Sequence, residues 1–114
     1  MQWTNDQPIY LQVRDHVVSL IIAGVLDAGD SIPSVRQMAI EGGVNPLTVS
    51  KAYQELVHLN IVENRRGLGM FVTEPAKNQL LKIEKEKFLK GDWPAILRKA
   101  QQLDIDLVKL VNKN

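Results

Sequence analysis

The pair Asn45-Pro46 is the feature that most restricts how this chain folds. A proline disfavours the helical conformation in the residue before it, and the extended conformation left to Asn45 is the one that a helix N-cap adopts. Pro46 suits the first position of a helix, where its missing N–H has no partner to lose. The pair therefore predicts a helix that begins at Pro46 and is capped by Asn45.

The helix that starts at Pro46 has one apolar face and one mixed edge. Apolar side chains at helical spacing predict a buried face. The residues of this face are Val49, Ala52, Tyr53, Leu56 and Leu59. The first turns leave Leu47, Thr48 and Lys51 facing outward. A firmly started helix that displays a methyl-bearing, polar and basic edge indicates a recognition surface.

Two helices are predicted before Pro46, of which the second is short. Pro8 can open the first, whose apolar positions recur every four residues from Ile9 to Ile21 and which Gly24 ends. Ser34 suits the N-cap of the second, residues 35–41, which the Gly42-Gly43 pair ends. The second and third helices are then joined by a short glycine-containing turn, an arrangement typical of a helix-turn-helix.

Two β-rich runs follow the third helix. Residues 61–63 and 70–73 are separated by Asn-Arg-Arg-Gly-Leu-Gly, which predicts a hairpin with a basic, glycine-bearing tip. Three helices followed by a hairpin give the order of a winged helix. The predicted fold class is therefore mainly α with a small β-hairpin.

The charge distribution selects a partner for this module. The net charge is only +1, and residues 1–74 contain eight acidic but five basic side chains. Four of the five basic residues lie on the second helix, the third helix or the hairpin tip, and only Arg14 lies elsewhere. A local basic patch attracts phosphates even when the surrounding domain is acidic, so double-stranded DNA is the predicted partner.

Each outward residue has a role that this partner would use. A helix in the major groove reaches base edges with its first turns, whereas flanking elements contact phosphates. Leu47 can meet a thymine methyl group, Thr48 a base or a phosphate, and Lys51 a guanine or a phosphate. Further phosphate contacts are predicted for Asn45, where it is not used as a cap, and for Arg36, Arg65 and Arg66.

The last forty residues are predicted to be helical and to form a second domain. The composition becomes lysine-rich after Thr73-Glu74-Pro75, which predicts domains at 1–74 and 75–114. A helix to about Lys90, a break at Gly91, a second helix capped by Asp92 and a last helix led by Asp106 are expected. So short a segment rarely buries its own apolar residues, so a homodimer is predicted. The expected dimerisation residues are Leu80, Leu81, Phe88, Trp93 and Leu97.

Several motifs also carry a family resemblance. From about Pro8 to Val72 the chain resembles the winged-helix domain of GntR-family bacterial regulators, through PIYLQV, GDSIPSVRQMA, GVNPLTVSKAYQEL and RRGLGMFV in that order. The resemblance implies DNA-binding roles at matching positions. These positions are Arg36, Asn45, Leu47, Thr48, Lys51, Arg65, Arg66 and Gly67. The sequence departs from many relatives at Pro46, Leu47 and Met70.

The tail resembles a subgroup of that family. Its length and the pattern FLKGDWPAILRKAQQLDID are similar to those of the YtrA subfamily, in which a short helical tail dimerises the protein. This implies a repressor of its own and a neighbouring operon, often one with transporter genes. A dimer with two-fold symmetry predicts an inverted-repeat operator with half-sites about 10 base pairs apart.

Other functional classes fit the sequence less well. The alternative is a winged-helix module for protein–protein contacts, in which the hairpin and third helix bind a protein partner. No nucleophile–base pair, paired catalytic carboxylates or metal-ligand set is found, so no enzyme, cofactor or metal is predicted. The lack of cysteine, of a signal peptide pattern and of a membrane-length apolar run favours the cytoplasm and no membrane partner.

Overall fold

The computed structural model of the chain describes residues 2–113. Its elements in chain order are α1 (Ile9–Ile22), α2 (Val35–Gly42), α3 (Pro46–His58), β1 (Val62–Arg65), β2 (Gly69–Val72), α4 (Ala76–Lys87), a π-helical turn (Phe88–Asp92), α5 (Trp93–Gln102) and α6 (Leu107–Asn112). The strands β1 and β2 pair antiparallel. The prediction of a mainly helical chain with one hairpin is therefore confirmed.

The core of the first helices follows the predicted stripes. On α1 the side chains of Val13, Val17 and Ile21 are buried, and they pack with buried residues of α3. Burial of apolar surface of this kind contributes roughly 25 cal/mol for each Å² removed from water. On α3 the predicted inward residues from Val49 to Leu56 are buried, whereas Leu59 is only half-buried at the end of the helix.

Side-chain caps set the start of α2 and its exit turn. The Ser34 hydroxyl accepts from the Gln37 backbone N–H at 3.1 Å, and the Gln37 side chain accepts from the Ser34 N–H at 3.0 Å. This reciprocal capping box satisfies two N–H groups that a helix start leaves unpaired. At the other end Gly43 has φ of 61°, a left-handed conformation that glycine adopts without strain. The chain then turns into α3.

The hairpin is longer than the sequence predicted. Strand β1 continues to Arg65, which pairs with Gly69, and the connecting turn is reduced to residues 66–68. Ser31 also forms a bridge with Phe71, so the segment before α2 lies against β2. The expected strand limits at 61–63 and 70–73 therefore differ from the observed ones by one or two residues at each end. The ladder reaches further because positive φ at Gly67 and Gly69 permits a tight reversal.

The predicted break at Gly91 and the predicted cap at Asp92 are both wrong. Residues 88–92 continue helically as a π-helical turn, in which the Trp93 N–H donates to the Phe88 carbonyl five residues earlier. Asp92 has helical backbone angles and its side chain makes no capping bond. Pro94 provides a physical reason, because it has no N–H to donate and its ring crowds the preceding turn, which a widened turn relieves. The predicted cap at Asp106 is confirmed by its bond from the Lys109 N–H at 3.1 Å.

Two compact units divide the chain within α4, between Leu81 and Lys82. This division differs from the predicted boundary after Glu74, because Ala76 and Leu80 belong to the buried core of the first unit. Leu80 is only 3% exposed. The prediction of Leu80 as a dimerisation residue is therefore corrected, since its side chain is already covered by its own chain.

Candidate nucleic-acid interface

The start of α3 presents the edge that the sequence predicted. The Asn45 side-chain oxygen accepts from the Leu47 backbone N–H at 2.8 Å, so Asn45 is the cap of this helix. Leu47 follows at 78% exposure, although it is a large apolar side chain. Thr48 is half-buried and Lys51 is exposed one turn further on. The cap therefore fixes the start of a helix whose exposed residues, Leu47 and Lys51, do not pack in the core.

Lys51 has a neighbour that the sequence did not reveal. Its ammonium Nζ lies over the ring of Tyr10, 4.0 Å from the ring centroid. Together with Ile9, Leu47 and Thr48, these side chains line a surface cavity of about 330 Å³. Tyr10 was missed because its helical position in α1 gives no sign of a contact with α3. The motif PIYLQV places an aromatic residue just after the start of α1, which was the one available signal.

Arg36 lies in the first turn of α2 and is exposed. The capping box between Ser34 and Gln37 fixes the backbone conformation at Arg36. A cavity of about 360 Å³ is lined by Ser34, Val35 and Gln37 from the start of α2 and by Leu68 and Gly69 from the hairpin. The start of α2 and the hairpin turn are therefore neighbours. Arg36 lies between Val35 and Gln37 of this cavity, and Arg66 lies two residues before Leu68.

The two arginines of the hairpin differ in their surroundings. Arg65 pairs with Glu63, at 2.8 Å between Nη2 and Oε1, and its guanidinium lies 4.4 Å from the centroid of the Phe71 ring. The pair is half exposed, so its net stabilisation is small, but the carboxylate offsets the charge that Arg65 presents. Arg66 and Gly67 are exposed in the turn, and Gly67 has φ of 77°. Arg66 is therefore the better placed of the two for an approaching phosphate.

The predicted site residues form two groups. Leu47, Thr48 and Lys51 line one cavity, with Asn45 at the start of the same helix. Arg36 lies on α2 between two residues that line the second cavity, and Arg65, Arg66 and Gly67 belong to the hairpin whose next residues, Leu68 and Gly69, line it as well. Within residues 2–113 no cluster of histidine, cysteine and acidic residues could hold a metal ion. No helix in that range is long and apolar enough to cross a membrane.

The second unit exposes the apolar residues of the predicted tail. Among residues 82–113, Ala100 alone is buried. Phe88 and Trp93 are 42% and 37% exposed, and their ring centroids lie 6.3 Å apart. Leu97 is 36% exposed, and with Trp93, Leu107, Val108 and Val111 it lines an apolar cavity of about 370 Å³. Leu81, the last residue of the first unit, is half-buried on α4.

Three helices, the last of them capped by Asn45, and a basic hairpin define the first unit as a winged helix-turn-helix. Residues 9–72 match the family described as "Bacterial regulatory proteins, gntR family". The chain belongs to the GntR family of bacterial regulatory proteins, which are DNA-binding transcriptional regulators and not enzymes.

Relatives and solved structures agree with this assignment along nearly the full chain. The uncharacterised HTH-type transcriptional regulator YhcF of Bacillus subtilis is 38% identical, over 90% of each chain. The HTH-type transcriptional repressor YtrA of the same organism is 37% identical, over 93% of this chain and 81% of its own. A GntR family transcriptional regulator from Listeria monocytogenes has a TM-score of 0.76 and 30% identity, over 98% of this chain and 99% of its own. The resemblance to the GntR family and its YtrA subfamily is therefore confirmed.

Proposed function

We propose that this protein is a transcriptional repressor that binds an inverted-repeat operator as a homodimer and controls its own and a neighbouring operon. The observation that carries the proposal is the exposed edge of α3, where Leu47 and Lys51 face solvent on a helix start fixed by the Asn45 cap. An exposed leucine beside a lysine at this position fits a thymine methyl group and an acceptor oxygen of DNA.

The roles of the flanking residues follow from their positions. Arg36 from the start of α2 and Arg66 from the hairpin turn are exposed cations that fit phosphates on either side of the groove. Gly67 lets the turn backbone approach the duplex closely because it has no side chain. Arg65 contacts DNA after exchanging the Glu63 carboxylate for a phosphate, and Thr48 contacts a base or a phosphate.

The dimer is supported by the apolar surface of the second unit. A unit in which Phe88, Trp93 and Leu97 are each at least one-third exposed leaves apolar area that a second copy would cover. Leu81 is the remaining predicted interface residue, whereas Leu80 is not part of the proposed interface. The DNA-binding domain of this proposal takes in the start of α4, since Ala76 and Leu80 complete its core.

A dimer would also explain how a domain with few basic side chains can bind DNA tightly. Each first unit offers about four well-placed basic groups, so a single copy gains limited affinity from the release of counterions. A two-fold axis lets two recognition helices enter successive major grooves about one helical turn, roughly 10 base pairs, apart. The operator would then be an inverted repeat.

The repressor role and the targets rest on relatives. YtrA of B. subtilis is described as a transcriptional repressor. By resemblance, the proposed targets are the protein's own operon and a neighbouring one that can include transporter genes. Such a protein would act in the cytoplasm, where bacterial DNA is accessible to it.

The experiment is a titration of a labelled duplex from the promoter of the protein's own gene, with the wild-type chain and Arg36→Ala. Loss of the Arg36 contact should weaken binding about tenfold or more without a change in the thermal melt. Arg14→Ala is the matched control, because it removes the same charge from α1, where Arg14 pairs with Asp15. Equal affinity of Arg36→Ala and wild type would refute the role of α2. Failure of the wild type to bind any duplex would favour the protein-contact alternative.

A further inference from the structure

The contact between Tyr10 and Lys51 joins two separate helices at the proposed recognition edge. Tyr10 belongs to α1 and Lys51 to α3, and the ammonium Nζ lies 4.0 Å from the ring centroid. The ring contacts one side of the ammonium group. Lys51 remains exposed, so its other N–H groups are free to meet an oxygen from solvent or from a ligand.

The Tyr10 ring belongs to a helix that is packed firmly in the core. Val13 and Val17, one and two turns beyond Tyr10 on α1, are fully buried in the core shared with α3. The position of the ring relative to α3 is therefore set by packing and not by a flexible loop. Tyr10 itself is half-buried, and the Lys51 ammonium lies over its ring.

A lysine without such a support has several rotatable bonds to order when it binds. A cation over an aromatic face is attracted by the ring quadrupole, and at exposed sites this attraction corresponds to about a two- to fivefold change in an equilibrium constant. A lysine already held near its bound position loses less rotamer freedom on binding. The ring thus reduces the entropic penalty of using Lys51 as a contact.

We propose that Tyr10 is a positioning residue for DNA recognition, whose ring holds the Lys51 ammonium over the start of α3, ready for an acceptor oxygen of the duplex. This inference rests on the proposed function, in which Lys51 contacts DNA. The acceptor is a phosphate oxygen or the O6/N7 edge of guanine, which have the same chemistry toward an ammonium group.

The test is a double-mutant cycle on the full-length protein. The probe is the duplex that the wild-type protein selects from a random-sequence pool. The variants are Tyr10→Leu, which removes the ring and keeps apolar bulk, Tyr10→Phe, which keeps the ring and removes the hydroxyl, Lys51→Gln, and the double variant Tyr10→Leu/Lys51→Gln. Tyr10→Met is a second ring-less variant for the case in which leucine disturbs the fold, and thermal melts check each protein.

Tyr10→Leu should weaken binding about two- to fivefold, the range expected for a cation over an aromatic ring at an exposed site. Tyr10→Phe should bind as the wild type does, and Tyr10→Leu should have no further effect in the Lys51→Gln background. In the free protein, proton NMR should show the Lys51 ε-methylene signals shifted upfield by the ring in wild type and Tyr10→Phe, and unshifted in Tyr10→Leu.

The same titrations distinguish the two acceptors. If Lys51 contacts a phosphate, Lys51→Gln lowers the slope of log affinity against log salt by about one unit on every duplex. If it contacts guanine, Lys51→Gln relaxes the preference at one base pair, and Tyr10→Leu relaxes the same position to a smaller degree.

Three results would overturn the inference while leaving the proposed function standing. These are Tyr10→Leu binding as tightly as wild type, an equal effect of Tyr10→Leu with and without Lys51, or Tyr10→Phe as weak as Tyr10→Leu, which would assign the effect to the hydroxyl. A wild-type protein that selects no duplex would instead refute the proposed function itself.

Discussion

The Tyr53 side chain of α3 is hydrogen-bonded to the segment just before α2, and removal of its hydroxyl tests what this bond contributes to stability. The side chain is 2% exposed, and its hydroxyl donates to the Pro33 carbonyl at 2.8 Å, directly before the Ser34 cap. Tyr53→Phe leaves the ring in the core but leaves that carbonyl without its partner. At neutral pH the free energy of unfolding should fall by about 1 kcal/mol, the typical net contribution of such a bond.

The same residue makes stability depend on alkaline pH. Burial, and after it the charge of the Glu41 carboxylate, raises the pKa of Tyr53 to about 12. In the unfolded chain a tyrosine ionises near pH 10. Between these two pKa values the unfolded state binds fewer protons than the folded state, so stability falls as pH rises. A pKa difference of two units corresponds to about 2–3 kcal/mol of stability. This stability is fully lost only when the pH exceeds the folded pKa.

The assay is urea unfolding followed by circular dichroism, for wild type and Tyr53→Phe, at intervals from pH 7 to 11.5. All other side chains are the same in both proteins, so the difference between the two unfolding free energies isolates Tyr53. That difference should be constant up to about pH 9.5 and should then shrink and change sign, because only the wild type loses stability through this hydroxyl. Two parallel pH profiles would refute the argument that burial raises the pKa of Tyr53.

Two further predictions concern the capping of α2 and the surface of the second unit. Ser34→Ala removes one half of the capping box and should lower the free energy of unfolding by about 1 kcal/mol, measured by urea unfolding; no change would show that Gln37 alone sets the start of α2. Trp93→Asp should convert a dimer into a monomer in sedimentation velocity, because a carboxylate would be buried at the proposed interface. The control is Ala95→Asp, because Ala95 is exposed on the side of α5 roughly opposite to Trp93, and this variant should remain a dimer. A dimeric Trp93→Asp protein would contradict the proposed interface.

The sequence predicted the helix starts well because they depend on local chemistry. Asn45 and Ser34 act through hydrogen bonds to the next few residues, and Asp106 does the same at α6. Gly91 and Asp92 misled the prediction because their usual meaning, a break and a cap, was overridden by a widened turn before Pro94. Sequence signals for helix ends are reliable only where the backbone N–H and carbonyl groups have no alternative hydrogen-bond partners.

Contacts between elements were harder to predict. The exposed edge of α3 followed from helical periodicity, and the structure bears out its outward orientation at Leu47 and Lys51. The ring of Tyr10 beneath Lys51 and the burial of Leu80 in the first core depend on how distant segments meet. Periodicity alone gives no such pairing, so these two features needed the three-dimensional structure.

The bond that caps α3 also limits what Asn45 can read. An asparagine recognises adenine when its amide oxygen and nitrogen engage the base together. Here the oxygen accepts from the Leu47 N–H of its own helix, at 2.8 Å, so the amide nitrogen is the group of this exposed side chain left for a partner. A group that can only donate finds acceptors at every phosphate along a duplex, whatever the bases. Asn45 would therefore help to set the depth and register of the helix, and the choice of sequence would fall to the side chains that follow it.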